Sequence, residues 1–421
     1  MAGKAVRQSQ GLGMMLLSNL FERFVQKGTL RVIDSKGRVR EFSGSPEPVA
    51  TIRLHDPRLP LKLFRNPELH AGEAYMNGTL TFEDSSLEDF LGLFSINRAT
   101  MASYPLQAVL RRISKLVRAF QQRNPVGRAR KNVAHHYDLS AEMYRLFLDD
   151  DLQYSCAYFE NGDETLEEAQ EKKKRHIAAK LRLQPGQRIL DIGSGCGGLA
   201  IDLARRADVE VLGVTLSEEQ HRIAVERAKA SELSDRVHFE LRDYRDVTGR
   251  FDRIVSVGMF EHVGVTRYDE FFAKVFELLT DDGLALLHSI GHMSPPSTAS
   301  PWLRKYIFPG AYSPALSEVF AATERQHLWV SDVEVLRAHY ADTLVEWNRR
   351  FQQNRARIAE LYDERFCRMW EFYLISAETM FRTGGQMVFQ MQLARTRDAA
   401  LLTRDYIFET EEAYRRSEQS P

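Results

Sequence analysis

The chain has few cysteines, no long apolar run near its start and almost no net charge, and each shortage excludes a class of protein. Its three cysteines, Cys156, Cys196 and Cys367, are odd in number and widely spaced, which argues against a disulfide framework and for a reducing compartment. No CxxC pair occurs, so no zinc site is predicted. A net charge of −1 over 421 residues gives no sign of a nucleic-acid partner. With 43% hydrophobic residues, the chain is predicted to be globular, with two or three domains.

The N-terminal segment contains an apolar run that is too short to span a membrane. The run covers Met14 to Leu17, and no transmembrane segment is predicted in this segment or elsewhere in the chain. Met14, Leu17, Phe21 and Phe24 instead fall at helical spacing. We therefore predict an amphipathic helix that buries this face.

Charge is unevenly placed although it sums to nearly zero. No acidic residue occurs between Asp89 and Asp138, while basic residues are frequent there. Over 106–122 apolar residues recur at helical spacing beside this basic face. Two interpretations remain open: the helix lies on an anionic membrane surface, or it packs on its own domain with its charges solvated. The stretch also marks a predicted boundary between an N-terminal domain, 1–125, and a catalytic domain, 126–421.

Strands alternate with helical patterns from Arg188 onward. This alternation predicts βαβ units and a mainly parallel sheet that binds its ligand at the carboxyl ends of the strands. Helices are predicted to begin near Gly197, Ser217 and Thr266. The predicted strands are Arg188 to Ile192, Val209 to Val214, Val237 to Leu241, Arg253 to Val257 and Leu284 to His288.

The first strand runs into a glycine-rich turn, ILDIGSGCG, of the kind that brings backbone N–H groups against a nucleotide-like cofactor. Gly193, Gly195 and Gly198 also fit the dinucleotide fingerprint, which is a weak signal when it stands alone. A dinucleotide site would place an acid at the end of the second strand, but none follows Val214. Acids occur instead at Asp191 and after the third strand, so we favour S-adenosylmethionine as the cofactor.

Further polar residues stand where the strand ends would place them. Glu261 follows the fourth strand, His288 closes the fifth, and Cys156 lies upstream among aromatic residues. Each alone would be a weak candidate, but their joint position at one sheet edge predicts a site. The pattern then breaks at a proline-rich segment after Ser289, which starts an insertion that could line or cover that site.

Several segments in order resemble the cyclopropane-fatty-acid synthase and mycolic acid methyltransferase family. They are HHYDLSAEMYRLFLDDDLQYSCAYF, ILDIGSGCGGLA, GVTLSEEQ, LRDYRDV, MFEHVG and LLHSIGH. The resemblance covers roughly His135 to Arg395, and GEAYMNGTL resembles the N-terminal domain of longer bacterial members. It implies a class I S-adenosylmethionine-dependent methyltransferase fold, Rossmann-like with a mainly parallel sheet. A smaller N-terminal α+β domain of lipid-binding type would precede it.

The resemblance also implies the residues of the site. Cofactor contacts would fall in four short segments, and a bound bicarbonate would be held by a separate group of side chains. The implied cofactor contacts are Tyr154, Ser155, Asp191, Gly193, Gly195, Gly197, Thr215, Leu216, Gln220, Tyr244 and Arg245. The implied bicarbonate site consists of Cys156, Glu261, His288, the Ile290 backbone and Tyr340.

Family membership would imply a particular substrate and location. The family alkylates the double bond of an unsaturated acyl chain in a membrane phospholipid, with bicarbonate as base. The resemblance therefore implies a cytoplasmic, peripheral enzyme on the inner face of the membrane, and it leaves a homodimer open. A methyltransferase acting on a small molecule is the alternative without a membrane.

Three departures from the family pattern leave the product open. Ser194 and Cys196 stand where the family has a cysteine and a tryptophan, and Ala377 stands where it often has a cysteine. The extension after Arg395, with Glu411 and Glu412, has no clear counterpart. A cyclopropane ring is the first expectation, and a methyl-branched or methylene acyl chain is the alternative.

Overall fold

The computed structural model describes residues 2–102 and 141–419, which form two compact units. The first unit comprises residues 2–102 together with Thr298–Pro309 and Trp347–Gly385, and the second comprises the rest of the described chain. The predicted helix over 106–122 and the predicted boundary at 125 lie outside the described residues. The first unit thus combines the N-terminal segment with two later pieces of the chain.

Helices and strands follow one another along the described chain in a fixed order. They are α1 (Ala2–Phe24), β1 (Thr29–Ile33), β2 (Val39–Ser43), β3 (Val49–Leu54), α2 (Leu59–Arg65), α3 (Pro67–Met76), β4 (Leu80–Phe82), α4 (Leu87–Ile96), α5 (Arg98–Ala102), α6 (Ala141–Arg145), α7 (Leu166–Leu181), β5 (Arg188–Ile192), α8 (Gly198–Arg206), β6 (Glu210–Thr215), α9 (Glu218–Ala230), β7 (Val237–Leu241), β8 (Phe251–Val257), α10 (Tyr268–Leu278), β9 (Leu279–His292), α11 (Pro301–Tyr306), α12 (Leu316–Arg325), β10 (Trp329–Val335), α13 (His339–Gln353), α14 (Arg355–Leu361), α15 (Glu364–Arg382), β11 (Gln386–Ala394) and α16 (Asp405–Gln419).

The first unit is built around a four-stranded sheet in the order β2-β1-β3-β4. The β1–β3 pair is parallel, whereas β1–β2 and β3–β4 are antiparallel. In α1 the side chains of Met14, Leu17, Phe21 and Phe24 are all buried, which confirms the predicted apolar face. Burial of this stripe stabilises the helix more than its intrinsic propensity does.

The insertion that follows β9 contributes to the core of the first unit. Trp302 on α11 is only 2% exposed, and its ring lies 4.7 Å from that of Phe372 on α15. Both rings pack on the backbone of α3 at Gly72, where an added Cβ would come within 2.5 Å of the indole nitrogen. The sequence suggested that this insertion could line or cover a site, and its first part instead fills a core.

The second unit contains a seven-stranded sheet in the order β10-β11-β9-β8-β5-β6-β7. The five strands from β5 to β9 pair in parallel, as predicted, whereas β11 and β10 add an antiparallel edge. This is the mixed, mainly parallel sheet of the predicted fold class. Because β5 has β8 on one side and β6 on the other, the strand order reverses at its carboxyl end, where such sheets bind ligands.

Local sequence explains the elements around this switch point. In β5 four of the five residues, Ile189–Ile192, are buried, as expected for a parallel strand covered on both faces. The helix α9 begins after Ser217, whose side chain accepts a hydrogen bond from the Gln220 N–H, so the predicted N-cap is confirmed. Within the described ranges, we find no helix that is long and apolar enough to cross a membrane.

Candidate active site

A cavity of about 180 Å³ lies at the carboxyl ends of β5, β6 and β8. Almost all of the residues that the sequence predicts as cofactor contacts line it. They are Tyr154, Ser155, Asp191, Gly193, Gly195, Thr215, Leu216, Gln220, Tyr244 and Arg245. The volume and position suit a small ligand bound at the edge of a doubly wound sheet.

The glycine-rich turn forms one wall of the cavity. Gly193 has a φ of +86°, and a Cβ built there would lie 2.8 Å from the Cβ of Met259, so glycine is required at this position. Gly197 does not line the cavity. It stands at the N-terminus of α8 with a φ of +81°, packed against Phe239, and its role is to bring the helix close to the sheet. Gly198 lines the cavity next to it.

Asp191 supplies a carboxylate at the floor of the cavity. The residue is 2% exposed, and its Oδ2 has no hydrogen-bond partner within the described part of the chain. Burial raises the pKa of this carboxyl to about 7, against the opposing charge of Lys173. A buried acceptor that faces a cavity is suited to a ligand that carries donors or positive charge.

The segment before α7 forms a second wall and is held from below by a buried lysine. The Nζ of Lys173 donates to Gln153 Oε1 at 2.6 Å and to Ser155 Oγ at 2.8 Å. Burial lowers the pKa of Lys173 to about 8, although the charge of Asp149 opposes this shift. Gln170 adds a hydrogen bond from its Nε2 to the Ser155 carbonyl at 3.0 Å.

Tyr244 and Arg245 form a third wall, on the turn after β7. The guanidinium of Arg245 donates to both oxygens of Asp243, from Nε at 2.8 Å and from Nη2 at 2.6 Å. Asp243 is therefore already paired, and it fixes the turn. The acid that the sequence analysis placed here serves the geometry of the wall.

Sequence reasoning missed three residues that line the cavity, Gln153, Met259 and His262. Signals for them were present, since Gln153 directly precedes Tyr154 and the other two belong to the segment MFEHVG. Burial lowers the pKa of His262 to about 4, which keeps its imidazole neutral near pH 7.

The residues implied for a bicarbonate form two groups. In the first, Glu261 Oε1 accepts the backbone N–H of Ile290 at 2.6 Å, and His288 lies two residues earlier on the same face of β9. Glu261 Oε2 is buried and has no hydrogen-bond partner among the described residues. Burial raises the pKa of Glu261 and lowers that of His288 to about 3, so this imidazole is neutral.

In the second group, the segment that carries Cys156 is bound to α13, which carries Tyr340. The Ala157 N–H donates to Thr343 Oγ1 at 3.0 Å. Cys156 and Tyr340 are both buried, and burial raises the pKa of the Cys156 thiol, so it stays protonated. The charge of Lys173 acts on Cys156 in this group and on His288 in the other.

The fold and the cavity together define an S-adenosylmethionine-dependent methyltransferase, and comparison with known proteins gives its family. A family model described as mycolic acid cyclopropane synthetase matches residues 125–391, and the chain belongs to this family. Among curated relatives, a cyclopropane-fatty-acyl-phospholipid synthase of Escherichia coli K12 is 37% identical over 82% of this chain and 88% of its own. The tuberculostearic acid methyltransferase UfaA1 of Mycobacterium tuberculosis is 33% identical over 90% of this chain and 91% of its own.

Solved structures agree with this placement. The cyclopropane synthase MmaA2 of Mycobacterium tuberculosis superposes with a TM-score of 0.61 at 33% identity, over 64% of this chain and 99% of its own. The mycolic acid cyclopropane synthase CmaA1, complexed with SAH and CTAB, has the same TM-score at 35% identity, over 65% of this chain and 99% of its own. The predicted family, fold class and methyltransferase activity are thereby confirmed, and the preference for S-adenosylmethionine over a dinucleotide was right.

Proposed function

We propose that this methyltransferase acts on the double bond of an unsaturated acyl chain in a membrane phospholipid and forms a cyclopropane ring, with bicarbonate as base. One observation carries the proposal. Glu261 is sealed close to the cofactor cavity with one carboxylate oxygen unpaired, beside a neutral histidine. Such an acceptor suits an acid–base step in a place that excludes water.

The cavity residues fit S-adenosylmethionine. Asp191 and the glycine-rich turn offer an acceptor and close backbone approach, and Tyr154, Gln220 and Tyr244 surround the remaining space. When bound there, S-adenosylmethionine supplies an electrophilic methyl group. An alkene is a poor nucleophile, so the chain must hold its double bond in line with that methyl group.

Methyl transfer to an alkene leaves a carbocation on the acyl chain, and water would trap it. The residues around the site are therefore expected to keep water out and to present aromatic faces to the cation. Tyr154, whose ring edge meets that of Tyr144 at 5.5 Å, is one such face in the cavity. Ring closure then requires the loss of one proton from the added carbon.

Bicarbonate would supply the base for that proton. Glu261 Oε2 is available to accept from its hydroxyl, while His288, Tyr340 and Cys156 can donate hydrogen bonds to its oxygens. Lys173 adds a buried positive charge whose field acts on this cluster, which favours an anion. The Ile290 N–H is already bound by Glu261, so its part is to orient that carboxylate.

A methyl-branched or methylene acyl chain is the second candidate product. UfaA1 is named as a methyltransferase, and its match covers the larger share of this chain of the two curated relatives described above. Ser194 and Cys196 line the cavity in place of the larger pair usual in the family, so the cation has different neighbours. Loss of a chain proton in place of a proton from the added methyl group would give this product.

The proposed substrate also implies a location. A phospholipid acyl chain must be reached from a membrane, and the basic stretch around 106–122 would attract an anionic surface. We propose a cytoplasmic enzyme that is peripheral on the inner face of the membrane. A homodimer is compatible with this arrangement.

Transfer of label from S-adenosyl-[methyl-¹⁴C]methionine to vesicles tests the substrate class. We expect incorporation into phospholipid with monounsaturated chains and none into otherwise identical saturated vesicles. Incorporation into small soluble acceptors but not into unsaturated lipid would overturn the proposal in favour of a small-molecule methyltransferase.

A further inference from the structure

The C-terminal helix α16 lies beyond the part of the chain that the family model matches, which ends at residue 391. It packs against α7, the helix that carries Lys173. An ion pair of 2.5 Å joins Glu418 on α16 to Arg175 on α7. Most of α7 is buried, including several ionisable side chains, so each of these needs a partner of its own.

His176 on α7 is held between two carboxylates. Its Nδ1 lies 2.5 Å from Glu411 Oε1 on α16, and its Nε2 lies 2.7 Å from Glu334 Oε2 on β10. Carboxylates only accept, so both ring nitrogens must donate and the ring is an imidazolium. Burial by itself would lower the pKa of His176, but the two carboxylates outweigh it and raise the pKa, although Lys180 opposes them.

The imidazolium stacks on an aromatic ring, which in turn stacks on a second histidine. The Tyr158 ring lies 4.4 Å from His176 at an angle of 16°, and 4.8 Å from His339 at an angle of 12°. His339 Nδ1 accepts the backbone N–H of Phe159 at 3.0 Å, so this nitrogen carries no proton. A cation on one face of Tyr158 strengthens the stack through the quadrupole of the ring.

The stack joins two segments that carry residues of the proposed site. Tyr158 follows Cys156 by two residues, and His339 directly precedes Tyr340. A one-ångström error in such positions can lower a rate about a hundredfold. The charge on His176 therefore bears on the geometry of the site, and it depends on a carboxylate from α16.

We propose that α16 is a positioning element of the active site. Its Glu411 keeps His176 charged, the charged ring clamps Tyr158 against His339, and the clamp fixes the segment of Cys156 relative to that of Tyr340. The inference rests on the proposed function, because it assigns these two residues to the reaction. Glu411 touches no reacting atom and acts only through His176.

The substitution Glu411→Gln removes one charge while it keeps the size of the side chain. The matched control is Glu412→Gln, since Glu412 is the next residue on α16 and pairs with Arg415 and Arg416 at the surface. We would follow the His176 imidazole by NMR as pH is raised, and measure kcat and the KM for S-adenosylmethionine with unsaturated vesicles from pH 6 to 9. Glu334, Lys180, Tyr158 and His339 are unchanged in both variants.

We expect Glu411→Gln to lower the His176 pKa by about one unit or more and to lower kcat roughly tenfold to a hundredfold above the new pKa. The KM should stay within about twofold because no cavity residue changes. Glu412→Gln should match the parent in all three. A lower His176 pKa with an unchanged pH profile of kcat would overturn the inference and make α16 a structural brace only.

Two further arms keep the test decisive. If Glu411→Gln does not fold, Glu411→Asp keeps the charge with a shorter side chain, and a kcat equal to that of the parent with a lowered His176 pKa would contradict the inference. If the parent does not act on lipid vesicles, the proposed function fails. In that case an unchanged His176 pKa in Glu411→Gln would still refute the clamp.

Discussion

Glu261 Oε1 accepts a hydrogen bond of 2.6 Å from the Ile290 backbone N–H, which ties the turn after β8 to strand β9. The contact leaves the other carboxylate oxygen buried without a partner in the described structure. A carboxylate held by one oxygen is oriented by the fold and can still accept a proton or a hydrogen bond with the other.

Loss of this acid–base pair should slow the reaction without loss of the cofactor. We expect Glu261→Gln or His288→Ala to lower kcat by roughly 10² to 10⁴, with SAH affinity by calorimetry nearly unchanged, because neither residue lines the cavity. Controls are Glu270→Gln and His238→Ala, which change the same residue types at exposed or half-exposed positions. Removal of bicarbonate from the buffer should also lower kcat. Full activity in the double variant would sink the bicarbonate assignment.

Cofactor affinity should depend on the protonation of Asp191. Its pKa is raised to about 7, so the carboxyl is largely protonated at pH 6 and ionised at pH 8. A ligand that carries an ammonium group prefers the ionised form. SAH should therefore bind more tightly as pH rises from 6 to 8, with release of a proton. Asp191→Asn should remove this slope, whereas the exposed Asp208→Asn should keep it; a slope that survives in Asp191→Asn would contradict the role.

A methyl group added at Gly72 should destabilise the first unit. A Cβ there would meet Trp302 at 2.5 Å and Phe372 at 2.9 Å, while Gly92 on α4 has open space at the same position. Overpacking of this kind costs about 1 to 3 kcal/mol, whereas Gly→Ala in an open helix gains roughly 0.5 to 1 kcal/mol. Urea unfolding should give a lower midpoint for Gly72→Ala and an equal or higher one for Gly92→Ala. Equal midpoints would refute the packing described for Trp302.

The basic stretch outside the described residues should bind anionic membranes. Each basic residue near such a surface contributes about 1 kcal/mol at low salt, so four replacements should weaken binding by several decades. The variant replaces Arg111, Arg112, Lys115 and Arg118 by Gln, and sedimentation with anionic vesicles measures binding, with neutral vesicles as control. Unchanged binding would favour a helix packed on its own domain.

The parallel strands were predictable because each is a short buried run bounded by turn residues. Predicted bounds for β5 and β7 match the structure, and those of β6 and β8 differ by one or two residues at an end. The antiparallel strand β11 was missed because Gln390 and Gln392 interrupt its apolar pattern. Their side chains are buried against His288 and against the end of α7, which is a tertiary match that a local pattern does not contain.

The cavity was predicted well for a related reason. Strand ends and the glycine-rich turn are local signals, and parallel strands bring their carboxyl ends to one edge. The partners of His176 could not be predicted, because Glu334 and Glu411 lie 158 and 235 residues away along the chain. Gly197 shows the same limit, since only the packing against Phe239 distinguishes it from the glycines that line the cavity.

The most direct test of the proposed reaction uses S-adenosylmethionine with a fully deuterated methyl group and vesicles of monounsaturated phospholipid. Ring closure removes one proton from the added carbon, so a cyclopropane product retains two of the three deuterons. Mass spectrometry of the acyl chains should therefore show a ring that carries two deuterons. A branched chain that keeps all three, with no ring, would contradict the cyclopropane assignment.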